Sequence, residues 1–346
     1  MKEHYFKRVQ RLTPTKFWIN NVTKEEAHLS ILEGAVGCTQ NPAFTWKMMN
    51  DPELKLHIID LIKIYKQQGL GSNDILIHIQ RDLVSDIANI FYPIYANSNH
   101  KMGYVSIQGD PFHEDCETIV SHAIFNCEKG NNIMAKIPVT QEGLKAIRIL
   151  AAKGFPINAT EVMSIRQAMD VCEVYREATN DLQGEEKAPI YFSHITGIFD
   201  EYLMKQVKAQ NIDIEQDYLW QAGLIAAKKA YHVCKQLNSE VGFIGGGARG
   251  LHHFTEMVGA DASITINWKN TADVLLKQDP VVIDQFHRPT PEIVIDELCR
   301  KLPDFVKGYF IDAIQPEEYE EYGPVVLFRK SFEDAWLQAL DFIERQ

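Results

Sequence analysis

Short apolar runs of β-strand character alternate with stretches of helical periodicity from residue 16 to residue 267, and this alternation constrains the fold more than any other feature of the chain. The predicted strands are Lys16–Asn20, Ala35–Thr39, Met102–Gln108, Ile133–Ile137, Phe155–Ala159, Ile190–His194, Val241–Gly245 and Ser263–Asn267. Between them the apolar spacing predicts helices over Lys24–Glu33, Pro52–Gln68, Ser72–Asn97, Glu114–Cys127, Gln141–Lys153, Val162–Glu177, Ile198–Ala209, Ile214–Leu237 and Gly250–Val258. Thr23 before Lys24-Glu25-Glu26, and Thr140 before Gly143, have the chemistry of helix starts. Strands that alternate with helices pair in parallel through right-handed crossovers. Eight such units favour a closed (β/α)8 barrel of the TIM type over an open doubly wound sheet. Residues 270–346 read as helices (Pro291–Lys301, Pro303–Ala313, Ser331–Glu344) joined by the acidic turn Gln315-Pro316-Glu317-Glu318. They are expected to pack on the barrel exterior or over its mouth, so that residues 1–346 form a single domain with a C-terminal helical extension. Asp181–Lys187 reads as a charged loop.

Bulk properties exclude several classes of function. A chain of 346 residues, 45% hydrophobic and 24% charged, is an ordinary globular protein. Length alone would allow two domains, but α/β barrels often run this long as one. The net charge of −12, with no basic stripe carrying interleaved aromatics, argues against nucleic acid as a partner. It leaves anionic small molecules open, because local arginines decide that. The N-terminal residues lack the apolar core of a signal peptide and no apolar run suits a bilayer, so the expected location is cytoplasmic, with no membrane partner. The six cysteines have no C-x-x-C pairing and read as reduced thiols, not as a zinc site. Neither a metal nor a cofactor is expected. A homo-oligomer is compatible with the chain, and the sequence does not set the oligomeric state.

In such a barrel, chemistry sits at the C-terminal ends of the strands. The fourth predicted strand carries the anomaly of the chain: Lys136, inside the apolar run Ile133–Thr140. Barrel strands are covered on both faces, so a cation there is desolvated and its pKa falls. A neutral amine is what Schiff-base chemistry with a ketone requires. A snorkelling structural lysine is the plainer alternative. Around it the other strand ends present Asn20 and Asn21; Thr39 and Asn41; Gln108 and Asp110; Asn158 and Thr160; Ser193 and His194; Asn267; and the glycine run ending in Arg249. Each has a structural alternative. Asn41-Pro42 suits a turn, Asn158 or Thr160 a helix cap, Ser193 and His194 backbone partners, and the glycines a tight turn. Taken together they describe an amine nucleophile, donors for sugar hydroxyls and a cation at one rim. The amides of the glycine run could also face an anion at a helix N-terminus, with Arg249 completing the site.

The residues at these strand ends resemble the transaldolase family of class I aldolases. Gly37-Cys38-Thr39-Gln40-Asn41-Pro42 is similar to its G-x-T-[ST]-N-P segment, and Lys136-Ile137-Pro138-Val139-Thr140-Gln141-Glu142-Gly143 to its K-[IV]-P-x-T-x-E-G signature. Asn158-Ala159-Thr160, Ser193 and Gly247-Ala248-Arg249 follow in family order, so the match runs from about Phe17 to Asn267. The lysine signature is specific; the other segments are weak alone. The resemblance implies a barrel whose strand order is circularly permuted relative to other aldolase barrels. It implies an imine on Lys136 with a ketose or dihydroxyacetone unit, and a relay water on Thr160. Thr39, Asn41, Asn158 and Ser193 would meet substrate hydroxyls, and Arg249 the anionic end of the sugar. Three positions depart from the pattern. Asn20 stands where the family has an aspartate that handles a proton, and an amide accepts none at neutral pH. Gln108 stands in place of a glutamate, as in the fructose-6-phosphate aldolase branch. Ile198 stands in place of a second phosphate arginine, a loss of about 1.5–3 kcal/mol in phosphate binding. The leading expectation is therefore transfer of a dihydroxyacetone unit from a variant ketose, unphosphorylated or sulfonated, to an aldehyde. His194 would stand in as the acid/base group. An aldolase releasing free dihydroxyacetone and a sugar-binding barrel that has lost its chemistry are the alternatives.

Overall fold

The computed structural model describes residues 3–346 apart from 183, 185 and 186. Among the described residues, eight parallel strands close into a barrel in chain order, the last pairing with the first. They are β1 (Lys16–Asn20), β2 (Cys38–Thr39), β3 (Val105–Gln108), β4 (Ile133–Pro138), β5 (Ile157–Val162), β6 (Ile190–His194), β7 (Gly242–Gly245) and β8 (Ser263–Asn267). This is the (β/α)8 barrel that the alternating pattern predicts. The helices are α1 (Tyr5–Leu12), α2 (Lys24–Leu32), α3 (Ala43–Met49), α4 (Lys55–Gln67), α5 (Ser72–Asn97), α6 (Cys116–Cys127), α7 (Gln141–Ala152), α8 (Ile165–Ala178), α9 (Thr196–Gln210), α10 (Gln216–Leu219), α11 (Ala222–Leu237), α12 (His252–Thr255), α13 (Asp273–Gln278), α14 (Glu292–Lys301), α15 (Pro303–Tyr309) and α16 (Gly323–Glu344).

Local chemistry explains the strand-to-helix joints. Thr23 and Glu26 form a reciprocal capping box at α2, and Ser164 with Gln167 forms another at α8. The hydroxyl of Thr140 accepts from the Gly143 amide at 3.0 Å to start α7. A Cβ at Gly143 would lie 1.8 Å from the Pro138 carbonyl oxygen, so only glycine lets α7 seat this close to the end of β4.

The differences from the sequence reading lie where propensity is weakest. Strand β2 is cut to two residues, and β5 runs past Ala159 to Val162. The stretch Ile214–Leu237 breaks into α10 and α11 at Trp220-Gln221, and Gly250–Val258 holds only the one-turn α12. Helices α1, α3 and α13 escaped the periodicity, being short and, in α3, opened by Pro42. The acidic turn around Pro316 is a 3-10 stretch, Pro316–Glu321, and α16 starts at Gly323 instead of Ser331. The loop predicted over Asp181–Lys187 falls partly outside the described residues.

Strand alternation sorts the interior into layers. Trp18, Met134 and Ile244 meet inside the barrel and, with Tyr104, close its lower end. Two residues further along β1 and β4 come Asn20 and Lys136. The odd-facing set (Phe17, Ile19, Ala135, Ile137, Phe192) belongs to the larger core between strands and helices. Helix α16 packs on α3, α5 and α9 and reaches β5, which lays it across the open upper end.

Candidate active site

A cavity of about 220 Å³ opens at the C-terminal ends of the strands. Asn20, Asn21, Thr39, Asn41, Lys136, Thr160, Ser193 and Arg249 line it, under a roof of Phe328, Ser331 and Phe332 from α16. Seven of the ten site residues expected from sequence thus share one chamber. Gln108, Asn158 and His194 do not line it.

Lys136 is the only residue of β4 with an ionisable side chain, and every residue of that strand is buried. Its Nζ lies 5.6 Å from the Phe332 ring centre, and the residue is 7% exposed. Desolvation holds the amine down at about 8, against a smaller opposing pull from the Glu161 carboxylate. It makes no ion pair with a carboxylate among the described residues. About a tenth of a group with that pKa is unprotonated at pH 7, far more than of an ordinary lysine, which suits nucleophilic addition.

On one wall Thr39 donates its hydroxyl proton to Asn20 Oδ1 at 2.9 Å, and Asn20 Nδ2 donates to Asn267 Oδ1 at 3.0 Å. The Thr39 and Thr265 hydroxyls are 2.8 Å apart. Asn20 is thus fixed by its neighbours as an amide. On the next wall Asn41 Oδ1 accepts from Asn21 Nδ2 at 2.9 Å and from the Ala43 amide at 3.1 Å. This leaves the Asn41 side-chain amide to the chamber. Opposite, Ser193 donates to Asn158 Oδ1 at 2.6 Å, and Asn158 Nδ2 donates to Ser106 Oγ at 3.2 Å across the barrel interior. Asn158 is fully buried and acts on the chamber through Ser193. Because Ser164 caps α8, capping explains neither Asn158 nor Thr160.

One expectation is overturned. His194 follows the inward Ser193, so its ring points into the helix layer, 6.4 Å from the Phe199 ring, with Nδ1 3.1 Å from Thr196 Oγ1. Complete burial pushes its pKa down to about 3. It is a neutral core residue, neither a substrate contact nor an acid/base group. The glycine run is only partly occupied by the protein itself: Gly247 and Ala248 line the chamber, and their amides make no hydrogen bond among the described residues. The amides of Arg249 and Gly250 both donate to His253 Nδ1, at 3.3 and 3.2 Å, and that of Gly246 to the His194 carbonyl at 2.9 Å. His253 is itself anchored through Nε2 to Asp200 at 2.9 Å. Arg249 reaches the rim alone, and Glu201 already holds its Nε at 2.6 Å. Ile198 is buried and contributes nothing polar.

A group the sequence reading passed over lies behind the lysine. Glu161 follows Thr160 in β5, fully buried, with φ +62° at a register break between Ala159 and Val162. That backbone costs a non-glycine residue roughly 1–3 kcal/mol. Gln108 Nε2 donates to Glu161 Oε1 at 2.8 Å. Thr160 Oγ1, Glu161 Oε2 and Gln108 Oε1 are buried with no protein partner. Burial raises the pKa of Glu161 and also that of Glu114, beside Gln108. A second cavity of about 20 Å³ joins Lys136, Gln108 and Glu114. With the fifth strand predicted to end at Ala159, Glu161 falls outside it, and only the extension of β5 to Val162 makes this carboxylate the same anomaly as Lys136.

A closed parallel barrel with a lone desolvated lysine inside its upper end places the protein among the (β/α)8 barrels that carry an amine at their centre. Residues 17–297 match the family model described as Transaldolase/Fructose-6-phosphate aldolase, and the chain belongs to that family. It is similar to the transaldolase of Trichodesmium erythraeum, 28% identical over 213 residues, 54% of each chain. A protein named Transaldolase 2 from Nostoc punctiforme is 30% identical over 176 residues, 46% of this chain and 43% of that one. The chain spans about half the length of curated relatives it matches, 54% of the Trichodesmium erythraeum protein and 50% of a transaldolase from Arthrobacter sp.. Among the described residues, no helix is long and apolar enough to cross a membrane.

Proposed function

We propose that the protein is a Schiff-base enzyme that moves a dihydroxyacetone unit from a ketose to an aldehyde acceptor, with Lys136 forming the imine. The observation that carries this reading is the position of Lys136: buried, unpaired, held at about 8, and lining the chamber at the strand ends. The name transaldolase, borne by its relatives, agrees with it. Thr39, Asn41 and Ser193, with Asn158 behind it, offer the donors and acceptors that sugar hydroxyls need. Thr160, two residues from the lysine's strand partner Asn158, holds its hydroxyl toward the amine side of the chamber.

The substrate's far end meets one arginine that already shares a carboxylate, beside a loop where the Arg249 and Gly250 amides are taken by His253 and those of Gly247 and Ala248 stay unbound among the described residues. This favours a ketose that is unphosphorylated, or whose anionic group is held by Arg249 with at most those two amides. Residues 270–346 work as part of the same unit, since α16 roofs the chamber. The test is reductive trapping with a panel of ketoses, read by intact mass and peptide mapping. A three-carbon adduct on Lys136, lost in Lys136→Met, is expected. No adduct at Lys136 with any ketose would falsify the reading.

Gln108, an amide where a proton-handling carboxylate would promote transfer, favours a second reading: an aldolase that releases free dihydroxyacetone. Release that proceeds at the same rate with and without an acceptor aldehyde would select it.

A further inference from the structure

We propose that Glu161, clamped by Gln108 behind Lys136, is the group that gives and takes the proton as the imine forms and breaks. This rests on the Schiff-base reading and adds the proton source it lacks.

The chamber itself offers none. Among the described residues, Lys136 and Arg249 are the only side chains lining it that are charged or titratable near neutral pH, and no carboxylate or histidine lines it. Asn20 is an amide locked between Thr39 and Asn267, and His194 faces the helix layer. A hydroxyl such as that of Thr160 can hold a water but cannot store a proton near neutral pH. Carbinolamine dehydration nevertheless requires an acid, and imine hydrolysis a base.

Glu161 meets that requirement by position. It is one residue beyond Thr160, and Gln108, the strand neighbour of Lys136, binds its Oε1. Its field acts on the lysine without a direct ion pair. Thr160 Oγ1, Glu161 Oε2 and Gln108 Oε1 have no protein partner; Gln108 is the lysine's partner on β3, and Thr160 and Glu161 lie two and three residues beyond Asn158, its partner on β5. Buried polar atoms of this kind are served by water, and a cavity of about 20 Å³ lined by Lys136, Gln108 and Glu114, though not by Thr160 or Glu161, has room for one beside Gln108. The charged and titratable groups facing Glu161 come from every side. They are Lys136 on β4, Glu114 beyond β3, Arg329 and Glu333 on α16, and the buried His194 paired to the end of β5. The like charge of Glu114 and the burial of both carboxyls favour keeping one proton in the pair, while Arg329 limits the rise.

The step balances. The Nζ lone pair adds to the ketone carbon, the C=O π pair moves to oxygen, and oxygen takes the proton that nitrogen releases. Glu161 then protonates the carbinol oxygen through water; the C–O bond breaks, water leaves, and the nitrogen lone pair closes C=N. The Glu161 carboxylate remains as counter-ion to the iminium, and hydrolysis returns its proton.

The experiment is cyanoborohydride trapping of dihydroxyacetone on the full chain, followed as adduct rate between pH 5 and 10. Wild type is expected to pass through a maximum set by two ionisations. Glu161→Gln is expected to slow trapping at least tenfold and to leave a single ionisation, while Glu161→Asp restores the second. If Glu161→Gln does not fold, Gln108→Met serves: loss of its hydrogen bond moves the Glu161 limb to higher pH. Wild-type rate and a two-limbed profile in Glu161→Gln, or an unmoved limb in Gln108→Met, overturn the proposal and leave Schiff-base chemistry standing. Failure of wild type to trap at all overturns the chemistry and the proposal together.

Discussion

At the scale of single residues, the site rests on two charges placed where charge is expensive. Holding the Lys136 amine at about 8 instead of 10.5 costs the fold about 3 kcal/mol wherever the group is protonated in both states. Its folded pKa lies below its unfolded one. Between about pH 8 and 10.5 the unfolded chain therefore binds the proton more tightly, and stability rises with pH across that window. Lys136→Met, similar in volume, is expected to stabilise the protein by about 2–3 kcal/mol at pH 7, with the gain fading toward pH 10.5. Denaturant midpoints of both proteins at several pH values check this; equal midpoints at pH 7 would mean the lysine is solvated. Glu161 adds the same kind of cost through its burial and its backbone. Two such residues in contact through one glutamine mark a region arranged for chemistry more than for stability.

At the scale of elements, the decisive part is α16. Its Phe328 and Phe332 exclude water from above Lys136, and Trp336 anchors the helix, fully buried with Nε1 donating to Asn73 at 2.9 Å. The low pKa of the lysine is therefore a property of helix and strand together. Phe332→Ala is expected to cost about 3–5 kcal/mol of stability. It also re-wets the amine, moving the alkaline rise of imine trapping toward pH 10. Trapping rates at pH 7 and pH 10 separate the effects: a drop confined to pH 7 marks lost desolvation, and an unchanged profile would show that the roof does not set the pKa. The sequence predicts this helix only from Ser331, whereas in the structure Gly323 and Pro324 already form its first turn. A proline in the first turn has no intrahelical partner to lose and does not end a helix.

At the scale of the whole molecule, the barrel is closed by the pairing of β1 with β8 over its full length. Thr15, just before β1, is buried; its hydroxyl donates to the Ala260 carbonyl at 2.8 Å and accepts from the Gly259 amide at 2.9 Å. It ties the start of the chain to the loop before the last strand. Thr15→Val would leave the buried Gly259 amide unpaired and the Ala260 carbonyl with only the Ala262 amide, with an expected loss of about 1–3 kcal/mol. Urea unfolding measures it, and a loss under 1 kcal/mol would show that the closure relaxes around the defect.

By itself the sequence determined the barrel, because eight apolar runs at crossover spacing leave few other ways to bury both faces of each strand. It also determined the ring of polar strand ends around Lys136, because residues two apart on a strand face the same way. Only the tertiary structure decided which of those residues reach the chamber. One step of parity sends Ser193 inward and His194 out, and a break in register turns Glu161 toward Gln108. Such choices depend on packing between segments far apart in the chain. So does the state of the Arg249 rim, where His253 takes two of the loop amides and Glu201 takes part of the charge, pairings that no local pattern encodes.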